Sequence, residues 1–216
     1  MKWLLIRGLA RDARHWGDFP KILEEHIKGS QTFVLDLPGF GTERHRISPI
    51  TVQGMVNDTR KRWTKLAQEH GGPWNVLSIS LGGMVTMDWL SRFPFDFQNA
   101  VIINTSSRNT SPVYRRIQFG ALRGFLKVAT SKSPQDKERH ILGFNSNLAT
   151  HKDPTLHRRW TQLAEENPTS ISNALIQLAA ASRYKAPRSL PVRTLFVSSQ
   201  RDRLTHPRCS WELAHR

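Results

Sequence analysis

The stretch Trp74-Asn75-Val76-Leu77-Ser78-Ile79-Ser80-Leu81-Gly82-Gly83 runs an apolar strand pattern into a glycine pair, and Gly82 to Phe93 then spaces Met84, Val85, Met87 and Leu90 as a helix does. Ser80 is caught between the two. A serine on so abrupt a strand-to-helix turn sits in strained backbone angles, and the residues two before and two after it must be small for strand and helix to approach. Ser78 and Gly82 meet that condition. The arrangement exposes the Ser80 hydroxyl and aims the unpaired N–H groups of the helix start at negative charge developing beside it, which makes Ser80 the candidate nucleophile. The alternative is an ordinary strand serine ahead of a Gly-Gly helix start.

On either side of this turn, strand and helix patterns alternate. Trp3 to Arg7, ending at Gly8, and Thr32 to Asp36, ending at Pro38-Gly39, fit buried parallel strands, as does Ala100 to Ile103. Trp16, Phe19, Ile22 and Leu23 fall at helical spacing between the first two, and Thr51 to His70 reads as a helix that stops at Gly71-Gly72-Pro73. After Asn104 the rhythm changes. Roughly eighty residues carry helical patterns only, at Phe119, Leu122, Phe125 and Leu126 and again at Ile171, Leu175 and Leu178. Pro191 to Val197 then returns to a strand, and Pro207 to Arg216 to the first turns of a helix. These patterns predict an α/β fold, a mostly parallel sheet flanked by helices, with residues 1–105 and 188–216 as its core and 106–187 inserted as a helical lid.

Composition narrows the function. A chain of 216 residues allows one domain with a sizeable core. No apolar run reaches the roughly 20 residues that span a bilayer. The opening Met1 to Ile6 meets Arg7 too soon for a signal peptide, so a cytoplasmic protein without a membrane partner is expected. The single cysteine, Cys209, permits neither an internal disulfide nor a cysteine-based zinc site and reads as a bystander. The net charge of +15 is large, yet Arg14, Arg44, Arg46, Arg60, Lys61 and Arg62 are scattered and form no nucleic-acid motif, so a solvated basic surface is expected. Between Ser106 and Arg188, fourteen Lys or Arg face five Asp or Glu, a local balance of +9. Positive charge beside a cleft concentrates anions, which points to acyl substrates that carry a carboxylate or phosphate.

With Arg7-Gly8-Leu9, then Asp36-Leu37-Pro38-Gly39-Phe40-Gly41, the Ser80 turn and a late Asp202 in that order, nearly the whole chain resembles the α/β-hydrolase superfamily, and specifically its small esterase-like serine hydrolases. It departs from their pattern at Arg7, where they have histidine, and at Ser78, where they have glycine. The resemblance implies hydrolysis of an ester or related acyl substrate. Ser80 would be the nucleophile, the backbone N–H groups of Leu9 and Leu81 the oxyanion hole, and Asp202 the carboxylate that orients a catalytic histidine. No metal or organic cofactor is implied. The alternative for Asp202 is a loop carboxylate capping the helix near Pro207. Trp16 is expected to pack beneath the oxyanion loop, and Ser78 and Ser106 to serve packing and hydrogen bonding.

The histidine is the gap in this pattern. Superfamily members carry it after one further strand, and no such strand follows Asp202. The nine histidines are His15, His26, His45, His70, His140, His151, His157, His206 and His215. His206 shares a loop with Asp202, His215 lies on the next helix, and His15, beside the oxyanion loop, reads as a surface or supporting residue. The expectation is a C-terminally truncated hydrolase with an incomplete triad, little activity, and an uncovered edge that invites self-association. The competing expectation is a non-catalytic hydrolase scaffold whose basic surface holds an acidic partner or nucleic acid.

Overall fold

The computed structural model describes residues 1–147 and 153–216, so His151 lies outside the described residues. Five strands, β1 (Lys2–Ile6), β2 (Gln31–Val34), β3 (Trp74–Ile79), β4 (Asn99–Ile103) and β5 (Arg193–Val197), form one sheet in the order β2-β1-β3-β4-β5. Every neighbouring pair is parallel. All carboxyl ends therefore emerge at one edge, where loops of open α/β sheets collect ligands. The register sets Ile6 beside Ser78 and Ile79 beside Ile103, so the residues after β1, β3 and β4 start their loops side by side.

Alternation along the strands divides the core in two. Leu4 and Ile6 face Val76, Ala100 and Ile102 under α2 (Val52–His70) and α3 (Leu81–Arg92). There Trp63 meets Trp74, Trp89 and Phe97 with ring centroids 5.1 to 5.9 Å apart. On the opposite face Trp3 and Leu5 pack with Leu77 and Trp16, closed by Phe19 and Leu23 of α1 (Phe19–His26). Burial on both faces is what the near-continuous apolar strands require.

Between β4 and β5 the described chain is helical: α4 (Val113–Arg116), α5 (Phe119–Thr130), α6 (Pro134–Asn145), α7 (Pro154–Glu166) and α8 (Ile171–Arg183). In α6 the enclosed Leu142 and Phe144 stand among polar residues, too few apolar positions for a pattern to show, whereas α7 spaces Leu156, Trp160 and Leu163 four and three residues apart on an otherwise polar helix. The final helix is α9 (Arg208–Ala214). Among the described residues strand β5 pairs only with β4, and Leu195 and Val197 on it are exposed.

Where β1 meets α3 there is no spare volume. A Cβ on Gly82 would stand 2.6 Å from the Ile6 carbonyl oxygen and 2.7 Å from that of Arg7, both backbone atoms. Gly82→Ala should therefore cost about 3 kcal/mol, the upper range for overpacking a rigid site. A Cβ on Gly143 in α6 meets nothing within 4 Å. Urea unfolding should show Gly143→Ala neutral or slightly stabilising, and equal midpoints for the two variants would remove the steric account of Gly82.

Candidate active site

The site starts from the backbone of Ser80. It leaves β3 with φ 57° and ψ −117°, a left-handed conformation that a residue with a side chain adopts only under constraint, and it forms the N-cap of α3. Two neighbours hold it there. Its N–H donates to the Ile103 carbonyl at 2.9 Å, and its own carbonyl accepts from the Thr105 hydroxyl at 2.8 Å. A Cβ on Gly8 would lie 3.0 Å from Ser80 Cβ and 3.5 Å from Ser80 Oγ, so the loop after β1 is pressed against the serine. Ser78 is structural: its Oγ accepts from Thr86 at 2.9 Å.

Two backbone donors flank this serine without acceptors. Among the described residues neither the Leu9 N–H nor the Leu81 N–H makes a hydrogen bond, although Leu81 is buried and Leu9 packs against the core. Leu81 is the first residue of α3, so its N–H has no partner within the helix. The loop carrying Leu9 is fixed one residue later. Ala10, at φ 53°, donates its N–H to Gln177 Oε1 of α8 at 3.2 Å. Gln177 is fully enclosed and also donates to the Pro38 carbonyl and to Ser48 Oγ. Asn173, one turn earlier, accepts from the Ser48 N–H and donates to the carbonyls of Gly39 and Arg46. Neither amide stands out in the sequence, because both lie off the apolar stripe of Ile171 and Leu175 that marks the helix, a stripe that the fold leaves exposed.

Asp36 explains its own motif. Oδ1 accepts from the Ala13 N–H at 2.6 Å, and Oδ2 from the Thr42 N–H and hydroxyl, which joins the loop after β1 to the loop after β2. Gly41, at φ 55°, is obligatory there, since a Cβ would collide with the Asp36 carboxylate. Burial pushes the Asp36 carboxyl above its ordinary range, and the N–H groups of Thr42 and Ala13 oppose that.

Asp202 stands at the same sheet edge. Val197 at the end of β5 accepts from the Asn104 N–H, Ser199 exchanges hydrogen bonds with the Asn104 side chain, and the Asp202 N–H donates to the Ser199 carbonyl. Its Oδ1 accepts from the Leu204 and Thr205 N–H groups at 2.7 and 3.0 Å, so it holds a turn ahead of α9 rather than capping that helix. Oδ2 has no hydrogen-bond partner among the described residues. Burial pushes the Asp202 carboxyl up, opposed by those two N–H groups.

None of the described histidines bonds to Ser80 Oγ or to Asp202. His206 Nδ1 accepts from the Arg208 N–H, and His215 bonds the Trp211 carbonyl and stacks on that ring. His15 corrects the surface expectation. Its ring is buried, with Nε2 2.9 Å from Arg11 Nη1 and Nδ1 3.1 Å from Asp12 Oδ1. Because a guanidinium only donates, Nε2 is assigned as the acceptor and the proton to Nδ1, which faces the Asp12 carboxylate and, at 3.3 Å, the Asp12 N–H. Arg11 in turn pairs with Glu138 of α6, and Arg14 with Asp12 and with Glu166 of α7, so this cluster clamps the helical segment to the loop after β1. Burial pushes the His15 imidazole below its ordinary value, and its bond to Asp12 opposes this only in part. Burial alone would raise the Asp12 carboxyl, but hydrogen bonds from His15 and Arg14 hold it well below the usual carboxylate range.

Trp16 packs beneath the loop as expected, and Arg7 stacks on it with its guanidinium carbon 4.9 Å from the ring centroid. Arg7 makes no hydrogen bond or ion pair among the described residues, its Nε is enclosed, and burial lowers its pKa to about 10. Cys209 is buried away from these groups, and Ser106 Oγ accepts from Arg116. Among the described residues no cluster of His, Cys, Asp or Glu could hold a metal ion.

A parallel sheet whose central strand delivers a strained serine to a helix N-terminus, pressed by the loop of the preceding strand, defines an α/β-hydrolase. More particularly, the chain belongs to the S33 serine aminopeptidase family, whose model matches residues 4–216, and so stands among the hydrolases. Solved structures agree on the fold. A provisionally assigned non-heme bromoperoxidase of Mycobacterium tuberculosis superposes with a TM-score of 0.74 at 20% identity, covering 99% of this chain and 79% of the other. An esterase from a Rhodococcus species gives 0.70 at 15% identity, covering 98% and 77%. A hydrolase from Pseudomonas aeruginosa gives 0.71 at 19% identity, covering 99% and 77%. Comparison with curated proteins finds no match.

The His15 geometry sets a pH dependence. A folded pKa below the unfolded value of about 6.5 means that the unfolded chain takes up the proton first, so this stability is complete above about pH 6.5 and is lost as pH falls. Urea midpoints should drop between pH 7.5 and 5.5 in the wild type and drop less in His15→Asn. Identical pH dependence in the two proteins would contradict the assignment.

Proposed function

We propose that the protein is a serine hydrolase of carboxylic esters or related acyl compounds, with Ser80 as nucleophile. The observation that carries this reading is the left-handed Ser80 at the start of α3 beside two unpaired N–H groups, those of Leu9 and Leu81. A helix-start N–H and a loop N–H left without acceptors beside a strained serine support a place kept for a transient oxyanion. Ser80 Oγ would attack the acyl carbon as its proton passes to a base, with the carbonyl oxygen becoming an anion between the Leu9 and Leu81 N–H groups. Collapse expels the alcohol, and water releases the acid from the acyl-enzyme. Asp202 would orient the base through its unpaired Oδ2, its Oδ1 being anchored by the turn. The helical segment 106–187 would act as a lid, its thirteen Lys or Arg against five Asp or Glu, a local balance of +8, favouring anionic acyl groups.

One observation favours a second reading: no described histidine contacts Ser80 or Asp202. A hydrolase scaffold that binds without turnover would leave the elbow in this state. Hydrolysis of a short p-nitrophenyl ester separates the two. The first reading expects turnover above the level that the oxyanion hole and binding leave when a triad member is lost, roughly a thousandfold over water, and expects Ser80→Ala to fall to that level. It also expects faster turnover at low salt when the acyl chain ends in a carboxylate. Activity unchanged in Ser80→Ala would sink the assignment of the nucleophile, and equal rates for neutral and anionic esters would sink the assigned role of the basic lid.

A further inference from the structure

We infer that the segment from α4 to α5 docks on an anionic lipid surface. Its residues Val113, Tyr114, Phe119, Leu122 and Leu126 are each at least half exposed, an unusual density of large apolar side chains facing water. On α5, Phe119, Leu122 and Leu126 fall three and four residues apart, one outward stripe, while the buried Ala121 and half-buried Phe125 and Val128 face inward. The stripe is edged by Arg123 and Lys127, both exposed and without an ion pair among the described residues. No aspartate or glutamate occurs between Asp96 and Asp136. Arg46, Arg60, Arg62 and Arg92 of the sheet domain, and Arg115 of α4, are by contrast neutralised by carboxylates.

The charge selects the occupant. A second copy would bring the same unneutralised cations against themselves, and a nucleic acid would leave Phe119, Leu122 and Leu126 in water. A convex helix face with apolar tips and flanking Lys and Arg suits a headgroup layer, where the tips enter the acyl boundary and the cations meet anionic headgroups. Such docking needs no bilayer-crossing helix, and among the described residues none is long and apolar enough to cross. The lack of an apolar run therefore does not support the sequence-based expectation of no membrane partner. The face is also tied to the catalytic edge: the Gln118 N–H at the start of α5 donates to the Leu204 carbonyl, and its side chain to the Asp202 carbonyl. Surface binding would bring the sheet edge of Ser80 and Asp202 close to the lipid layer, though the inference does not depend on turnover.

Co-sedimentation with vesicles tests it without any substrate. The wild type should sediment with phosphatidylcholine vesicles containing one-third phosphatidylglycerol, roughly tenfold more than with phosphatidylcholine alone, and less at high salt. Arg123→Glu with Lys127→Glu should cut binding about tenfold, and so should Phe119→Ser with Leu122→Ser and Leu126→Ser. All five side chains are exposed, and unchanged urea midpoints would verify that the variants fold. No sedimentation of the wild type overturns the inference. So does wild-type binding by the apolar triple variant, or equal loss of duplex DNA binding in that variant, since either would mean charge alone or another polyanion is being read.

Discussion

The close approach of the first strand to the third helix is the constraint on which the rest depends. Gly82 allows the helix start to rest on the carbonyls of Ile6 and Arg7, and Gly8 lets the following loop reach Ser80. Only this double contact gives the strained serine backbone a fixed setting, because a left-handed residue relaxes unless its surroundings over-determine it. The hydrogen bonds from Ser80 to Ile103 and from Thr105 to Ser80 close the cage from the fourth strand.

Polar side chains then transmit that setting outward. Asp36 joins the loops after the first two strands, Gln177 and Asn173 tie them to the last helix of the insertion, and the Arg11–Glu138 and Arg14–Glu166 pairs hold the middle helices. The helical segment is therefore anchored chiefly by buried hydrogen bonds and ion pairs, while the sheet beneath it is held by apolar packing. Such networks are demanding, since a buried polar group left without a partner costs more than the bond itself contributes. The His15 cluster shows the cost in its ionisation: the imidazole is driven neutral by burial while the carboxylate beside it stays charged.

The site has an asymmetry that bears on mechanism. In the proposed reading its electrophilic half, the Leu81 N–H at the helix start and the Leu9 N–H of the loop after the first strand, is built in the resting structure, whereas among the described residues its basic half is represented only by the Asp202 carboxylate with one free oxygen. Preorganised donors stabilise an oxyanion without reorganisation, so in that reading this half would lower a barrier by itself, though far less than a complete triad.

The order of elements, the parallel sheet, the Ser80 turn and the need for Gly82 were all legible in the sequence, because they follow from period, apolar runs and the size of residues near a sharp turn, all of which are local properties. The Asp36 loop was legible as a pattern but not as a device, since its partner Ala13 is distant along the chain. Gln177, Asn173, Glu138 and the buried state of His15 could not be seen at all: a polar residue on a helix carries the same letter whether it faces water or seals a loop. The outward stripe of the fifth helix was likewise hidden, because the spacing of Phe119, Leu122 and Leu126 marks a helix without saying whether that face meets the core or solvent. Local sequence decided which elements form, and long-range packing decided which of their faces meet.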